Sequence, residues 1–191
     1  MRSDVTGEDG TPLVAIHRLD PATHADDANA FFEAAGLGRP VRPNEPNAQL
    51  QTLAYQVDGE GGILGAAYAM SPSQAAESLY FGGMTREDAF SIATRIVGIE
   101  AVYVHRDLRG REFGKDLIDA VEEQARVGGI EYLIAHVEAD APRLHEFYRS
   151  LGFVVKAIGD PLTVEGTPLP FTEDYLDAVK VLVGSPTVAV R

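Results

Sequence analysis

The chain of 191 residues contains no cysteine. This absence excludes disulfide bonds, thiolate metal sites and any covalent acyl-cysteine intermediate. Apolar runs are also short, and none reaches the ~18–20 residues that a membrane-spanning helix requires. The five histidines lack the spacings of metal ligands, so we expect no metal site and a scattered surface or core location for each. They are His17, His24, His105, His136 and His145.

Positive charge is scarce relative to negative charge. The chain has 16 Lys and Arg against 29 Asp and Glu, a formal net charge of −13. Nucleic acid is bound mainly through cationic side chains, so this balance argues against nucleic-acid binding. Residues 1–10 lack the apolar segment of a signal peptide. We therefore predict a cytoplasmic protein with no membrane contact, in which residues 1–10 form a flexible lead, 11–185 one domain and 186–191 a tail.

Periodicity and turn residues predict strands that alternate with helices. The first helix begins at Asp20 and Pro21 and stops at Gly36, and two short helices fill residues 71–92. Two further helices run from Phe113 to a stop at Gly128-Gly129 and from Asp140 and Pro142 to Gly152. This order indicates a mixed sheet covered by helices on both faces. The predicted strands are 13–18, 53–57, 63–69, 96–104, 130–137, 153–158 and 176–183.

A basic, glycine-containing turn lies between the strand at 96–104 and the helix that follows. The start of a helix attracts anions through unpaired N–H groups and the macrodipole, and Gly110 and Gly114 allow a close approach of the backbone. Four cations fall within ten positions, namely Arg106, Arg109, Arg111 and Lys115. This window predicts either a site for a phosphate-bearing ligand or a solvated loop, and its composition alone does not choose between them.

Two motifs resemble the GCN5-related N-acetyltransferase (GNAT) family. The family signature R/Q-x-x-G-x-G/A opens the helix after the central strand, and here Arg109-Gly110-Arg111-Glu112-Phe113-Gly114 stands at that place. The segment Leu144–Phe153 resembles the family's FY-x-x-x-GF element. The chain departs from the pattern at Glu112, where the signature has glycine, and at Ala141, where many members have asparagine. The resemblance covers about residues 53–158, and residues 13–36 are compatible with it.

The resemblance implies a fold, a ligand and an activity. The implied fold is an α/β (α+β), mostly antiparallel sheet of about seven strands flanked by helices, with a helical insertion between the third and fourth strands. The implied activity is direct transfer of acetyl from acetyl-CoA to an amine of a small molecule or peptide, with no metal. A non-catalytic acyl-CoA-binding sensor or interaction module is the alternative, and a homodimer is possible because many relatives dimerise.

The same resemblance implies the site residues. Glu100 matches the glutamate that many members use as a base, and Tyr148 matches the tyrosine that meets the cofactor sulfur. We expect Glu112 to point to solvent and the 71–92 segment to act as a lid over the amine site or as a dimer contact. The implied cofactor-binding residues are Val102, Tyr103, Val104, Arg109, Gly110, Arg111, Glu112, Phe113, Gly114 and Lys115.

Overall fold

A computed structural model describes most of the chain. The described residues are 15–43, 51–57, 62–71, 75–157, 159–160, 162–164, 166–168 and 175–182. The predicted flexible lead and the tail lie outside them, as do residues 58–61 of the predicted hairpin turn and residues 72–74, where the first helix of the 71–92 segment was expected to begin.

Within these ranges the chain forms nine strands and five α-helices. The helices are α1 (Pro21–Ala34), α2 (Ala75–Phe81), α3 (Arg86–Ala93), α4 (Phe113–Val127) and α5 (Pro142–Ser150). The strands are β1 (Ala15–Leu19), β2 (Thr52–Val57), β3 (Ile63–Met70), β4 (Ile96–Val104), β5 (Tyr132–Glu138), β6 (Val154–Val155), β7 (Thr163–Val164), β8 (Thr167–Pro168) and β9 (Tyr175–Val181).

Seven strands form one mixed sheet in the order β1-β2-β3-β4-β5-β9-β6. β4 and β5 pair in parallel, whereas β1–β2, β2–β3, β5–β9 and β6–β9 pair antiparallel. β7 and β8 form a separate two-stranded hairpin. The predicted sheet of about seven strands, mostly antiparallel and flanked by helices, is confirmed, and the two helices between β3 and β4 are the predicted insertion.

The chain divides into two compact units. The first unit comprises residues 1–69 and 100–124, and the second comprises residues 70–99 and 125–191. β4 contributes to both, because Ile99 belongs to the second unit and Glu100 to the first. The assignment of residues 11–185 to one domain therefore stays a prediction.

In the first unit, α1 follows the sequence signals closely. The Asp20 carboxylate accepts a hydrogen bond from the Ala22 N–H at 2.9 Å, and Pro21 occupies the first helical position. Phe32 is fully buried on the inner face of the helix. The chain leaves α1 through Gly36, whose φ of 82° lies in the left-handed region that glycine tolerates best.

In the second unit, the insertion packs on one face of the sheet. Thr85 begins α3, and its hydroxyl accepts a hydrogen bond from the Asp88 N–H at 3.2 Å. The outer side of the insertion leaves Tyr80, Phe81 and Phe90 largely exposed. The inner side contributes Leu79, Ala89 and Ile92 to a buried cluster with Ile96, Tyr132, Ile134, Leu162 and Val179.

Some predicted boundaries are wrong for local reasons. Asp140 does not cap α5, because Ala141 takes the N-cap position without a side-chain hydrogen bond. β6 starts one residue later than the predicted strand 153–158, since the Phe153 N–H donates to the Tyr148 carbonyl at 3.1 Å and so belongs to the end of α5. β5 begins at Tyr132 because the Ile130 N–H still donates to the Ala125 carbonyl of α4.

Candidate active site

The turn that follows β4 is short and well defined. At the end of the strand, the His105 N–H donates to the Leu64 carbonyl of β3 at 2.8 Å. A single 3-10 turn at Arg106–Leu108 follows, and Gly110 then takes a φ of 78°. A Cβ at Gly110 would meet nothing within 4 Å, so the need for glycine is conformational rather than steric. The chain then enters α4 at Phe113.

Main-chain N–H groups accumulate at this turn without hydrogen-bond acceptors. Five of them donate to none of the residues that the structure describes. The first four N–H groups of any helix lack an intrahelical acceptor, and the aligned peptide dipoles add a partial positive charge there. The turn therefore has the geometry of an anion-binding helix start. The five groups belong to Gly110, Arg111, Glu112, Gly114 and Lys115.

Three of the four basic side chains of this turn make contacts within the first unit. The Arg109 guanidinium donates from Nε to the Val104 carbonyl at 3.1 Å and lies 5.1 Å from the centroid of the Tyr103 ring. Lys115 forms an ion pair with Asp119 at 2.8 Å. The Arg106 guanidinium lies 3.6 Å from the carboxylate of its neighbour, Asp107.

Arg111 differs from these three. It is exposed and has no hydrogen-bond or ion-pair partner among the described residues. Its guanidinium is therefore the cation of this turn best placed to meet a ligand's phosphate. The sequence alone gave no reason to distinguish the four basic residues. Their contacts in the structure do, because three of them have partners and Arg111 has none among the described residues.

Glu112 is exposed at the start of α4. Its carbonyl accepts the Asp116 N–H at 2.9 Å, so the residue occupies the N-cap position of the helix. Its carboxylate contributes to raising the pKa of Lys115, after the larger effects of the hydrogen bond and charge of Asp119. The missing signature glycine thus leaves the helix start intact, and the side chain lies at the surface.

The catalytic glutamate implied by the resemblance lies in β4. Glu100 is exposed between the buried Ile99 and Ala101. The three residues that follow, Val102 to Val104, are half-buried. The parallel pairing of β4 with β5 runs from Ile96–Tyr132 to Ile99–Ala135, so Glu100 follows the last paired residue of β4.

Tyr148 lies in the second unit, on α5. Its side chain is 5% exposed, and its ring packs edge-on against Phe147 and Phe153, with centroid separations of 5.3 Å and 5.1 Å. Burial raises the pKa of the Tyr148 hydroxyl to about 12, which keeps it protonated at neutral pH. Among the described residues, no partner accepts a hydrogen bond from this hydroxyl.

The described residues include no group of three or more His, Asp or Glu side chains that could together hold a metal ion. Among the described helices, none has the length and apolar character needed to span a bilayer.

The fold and the turn after β4 agree with the family that the sequence resembles. The chain belongs to the acetyltransferase (GNAT) family, whose family model matches residues 24–153. That match includes β4, the anion-binding turn and α5, which carry the two motifs.

Similar proteins include a curated enzyme and solved structures. L-amino acid N-acyltransferase MnaT of Escherichia coli K12 is 29% identical over 139 residues, which cover 72% of this chain and 64% of that enzyme. The chain thus spans less than two thirds of this relative's length.

Two solved structures establish the likeness of fold. The phosphinothricin acetyltransferase of Sinorhizobium meliloti, solved with acetyl-CoA, has a TM-score of 0.58 at 16% identity and covers 93% of this chain and 95% of its own. The GNAT domain of S. lividans PAT has a TM-score of 0.60 at 13% identity and covers 94% of this chain and 96% of its own.

Proposed function

We propose that this protein is an acetyl-CoA-dependent N-acetyltransferase that transfers acetyl directly to an amine of a small molecule or peptide. The observation that carries the proposal is the set of five N–H groups without acceptors at the start of α4, in a chain of the GNAT family. The names of the relatives support it, since one is an N-acyltransferase and another was solved with acetyl-CoA. Cytoplasmic location and a homodimer remain predictions.

The residues of the turn suit a diphosphate. Main-chain N–H groups bind phosphate oxygens without bringing a bulky side chain near them, and the macrodipole favours the negative charge. Arg111 adds one exposed cation. We assign the diphosphate of the donor to residues 109–115, which hold it mainly through the backbone.

The main chain of β4 is the proposed contact for the pantetheine arm. Of the residues implied by the resemblance, Val104 already uses its carbonyl to accept the Arg109 side chain. The main-chain groups of Val102 are therefore the stronger assignment for this contact. The Arg109 contact has its own role, because it ties the turn back to the end of the strand.

The donor supplies a thioester, and the protein must manage the protons of the amine. An alkylamine has a pKa of about 10, so at pH 7 nearly all of it is protonated and cannot attack. We assign Glu100, an exposed carboxylate on β4, as a base for this proton, directly or through a water.

Tyr148 is the proposed donor to the departing sulfur. Its pKa of about 12 lies above the value of about 8.5 typical of a thiol, so full proton transfer to a free thiolate would be uphill by about 5 kcal/mol. A hydrogen bond from a neutral hydroxyl to the thiolate has no such barrier. We therefore assign Tyr148 to stabilise the leaving group by hydrogen bonding.

A binding and turnover experiment tests the function. Calorimetry with acetyl-CoA measures binding, and release of CoA is followed with a panel of amines that begins with L-amino acids, because the curated relative is named for them. We expect micromolar binding and turnover of at least one acceptor. Binding without turnover of any acceptor would favour the non-catalytic module, and the absence of binding would overturn the proposal.

A matched pair of variants tests the turn itself. Gly110→Ala forces an alanine into a left-handed conformation at a cost of about 1–2 kcal/mol, and Gly129→Ala does the same at a φ of 75° beyond the end of α4. Both variants should lose similar stability, but only Gly110→Ala should weaken acetyl-CoA binding, by about fivefold or more. Equal affinities for both variants would remove the turn from the binding site.

A further inference from the structure

A histidine–aspartate pair joins two neighbouring strands of the second unit. His136 on β5 and Asp177 on β9 are directly opposite in the antiparallel register. The His136 Nδ1 and the Asp177 Oδ1 are 2.9 Å apart. The two side chains differ in burial, since 64% of the His136 side chain is exposed but only 7% of the Asp177 side chain. The imidazole therefore meets solvent while its carboxylate partner is held inside.

The position of Asp177 is costly for a purely structural residue. It lies in β9 between the buried Leu176 and Ala178, and His136 is its side-chain partner among the described residues. An ionised carboxylate taken out of water costs several kcal/mol unless it is well paired, and apolar replacements of buried ion pairs are often neutral or stabilising. A carboxylate kept at such a position indicates a functional role for the pair.

The hydrogen bond also selects the form of the imidazole. An ionised carboxylate can only accept hydrogen bonds, so Nδ1 carries the proton in the neutral ring. The lone pair then lies on Nε2, at the opposite edge of the ring. A histidine oriented in this way is suited to accept a proton at Nε2, with Asp177 stabilising the imidazolium that results.

His136 lies where the parallel pairing of β4 with β5 ends. Ala135 is the last residue of β5 that pairs with β4, and His136 is the next residue along β5. β4 and β5 are the parallel pair of the described sheet. In open sheets with parallel strands, ligands bind at the carboxyl ends of those strands, where neighbouring strands part. His136 follows the end of the parallel ladder directly.

The transfer removes two protons from the acceptor nitrogen. An ammonium nitrogen carries three protons and the amide nitrogen of the product carries one, so two protons must leave nitrogen. The C–S bond breaks, the C–N bond forms, and the sulfur takes up one proton, so one proton is released to solvent. A single carboxylate such as Glu100 accounts for one of the two departures.

We propose that His136, oriented by Asp177, accepts the other proton of the acceptor amine. In this assignment His136 is a catalytic residue and Asp177 a positioning residue. The assignment rests on the proposed N-acetyltransferase function. An imidazole has an ordinary pKa of about 6.5, close to neutral pH, and a pKa near the working pH is the condition for an efficient general base.

Kinetics of matched variants test the proposal. The test variants are His136→Gln and Asp177→Asn, and the control is His17→Gln, an exposed histidine on β1. We expect His136→Gln to lower kcat by about 10²-fold while acceptor KM and acetyl-CoA Kd change by less than about twofold. Asp177→Asn should lower kcat less, and the double variant should be no worse than His136→Gln alone, because the two residues act as one unit. The control should match the wild type.

Chemical rescue separates proton transfer from structure. Imidazole added to the His136→Ala variant should restore kcat in proportion to its concentration, since the site is exposed and a structural role would not respond to a soluble base. A kcat of His136→Gln within about twofold of the wild type would overturn the proposal, as would a loss confined to stability or KM. If His136→Gln does not fold, Asp177→Asn decides by the same criteria.

Binding of acetyl-CoA and turnover of amines by the wild-type protein distinguish a failure of the His136 role from a failure of the transferase function. Wild-type protein that binds acetyl-CoA but turns over no amine would overturn both the enzyme assignment and the role of His136. Active wild-type protein with unaffected pair variants would overturn only the role of His136 and leave the transferase intact.

Discussion

Replacing Tyr148 with phenylalanine removes one hydroxyl and keeps the ring contacts with Phe147 and Phe153. If the hydroxyl hydrogen-bonds to the departing thiolate, its loss costs about 1.5–3 kcal/mol, the value of a hydrogen bond to a charged group. This predicts a decrease in kcat of about 10- to 150-fold. Complete proton transfer in the transition state would allow a larger loss, of up to about 10⁴-fold. The pKa of about 12 favours the smaller range.

The stability of the variant gives an independent readout. Because no described residue accepts a hydrogen bond from the Tyr148 hydroxyl, Tyr148→Phe should leave the unfolding midpoint almost unchanged. Tyr55 is the matched control, since it is also buried but its hydroxyl donates to the His24 carbonyl at 3.2 Å. Tyr55→Phe should lose about 1 kcal/mol, or about 2–4 °C in Tm, without a change in kcat.

The assay is CoA release at saturating acetyl-CoA, with the acceptor varied, for wild type and both variants. The rate difference between wild type and Tyr148→Phe should stay constant from about pH 6 to about pH 10, because the hydroxyl loses its proton only as the pH approaches 12. A kcat of Tyr148→Phe equal to that of the wild type would refute the leaving-group role. So would a loss of kcat that parallels a loss of stability.

Three other substitutions test the remaining assignments. Glu100→Gln should shift activity toward higher pH, where free amine is plentiful. The control Glu146→Gln, at an exposed glutamate, should keep the wild-type pH profile. Identical pH profiles for the wild type and both variants would exclude Glu100 as a base. Glu112→Gly should change the acetyl-CoA Kd by less than about threefold in calorimetry, and a tenfold gain would show that the carboxylate faces the diphosphate. If the insertion covers the amine, Phe81→Ala should raise the acceptor KM and leave acetyl-CoA binding unchanged. An unaltered KM would favour the dimer contact, and sedimentation would then measure whether the protein dimerises.

The structure determines how the insertion can be tested. Removing the whole 71–92 segment would uncover the sheet, because Leu79 and Ile92 are buried in the cluster of the second unit. Each such side chain contributes about 1.5–3 kcal/mol through burial, so a deletion would report on folding rather than on acceptor binding. Phe81 is 82% exposed and can be truncated at little cost in stability. The outer aromatic side chains are thus the part of the insertion that a functional test should change.

The sequence predicted the elements whose signals are local. The cap at Asp20, the left-handed stop at Gly36 and the cap at Thr85 all depend on neighbours within four residues, and each is confirmed. β4 has the predicted bounds because its run of β-branched residues lies between clear turn signals. The start of β6 was placed one residue too early, at Phe153, because the apolar residue that closes α5 resembles the first residue of a strand in composition.

What sequence reasoning could not predict depends on partners that are distant along the chain. His136 and Asp177 are 41 positions apart, and nothing in the spacing of either residue indicates that β5 and β9 become neighbours. A lone histidine on a strand was therefore interpreted as a scattered residue. Only the strand order of the sheet brings the imidazole and the carboxylate to opposite positions of one ladder.

The contacts of the turn after β4 show which of its charged and polar groups are available to a ligand. A cluster of cations suggests that side-chain charge binds the ligand, yet Arg109 engages the strand and Lys115 engages Asp119. Arg111 alone among the four basic residues has no described partner, so we expect fixed main-chain dipoles to provide most of the anion binding in the proposed site. Such dipoles are held in place by the fold and lose no side-chain freedom when the ligand binds. If the proposed site is correct, a chain with a net charge of −13 needs no basic surface to bind a phosphate-bearing donor, because the attraction would arise from the geometry of Gly110 and the start of α4.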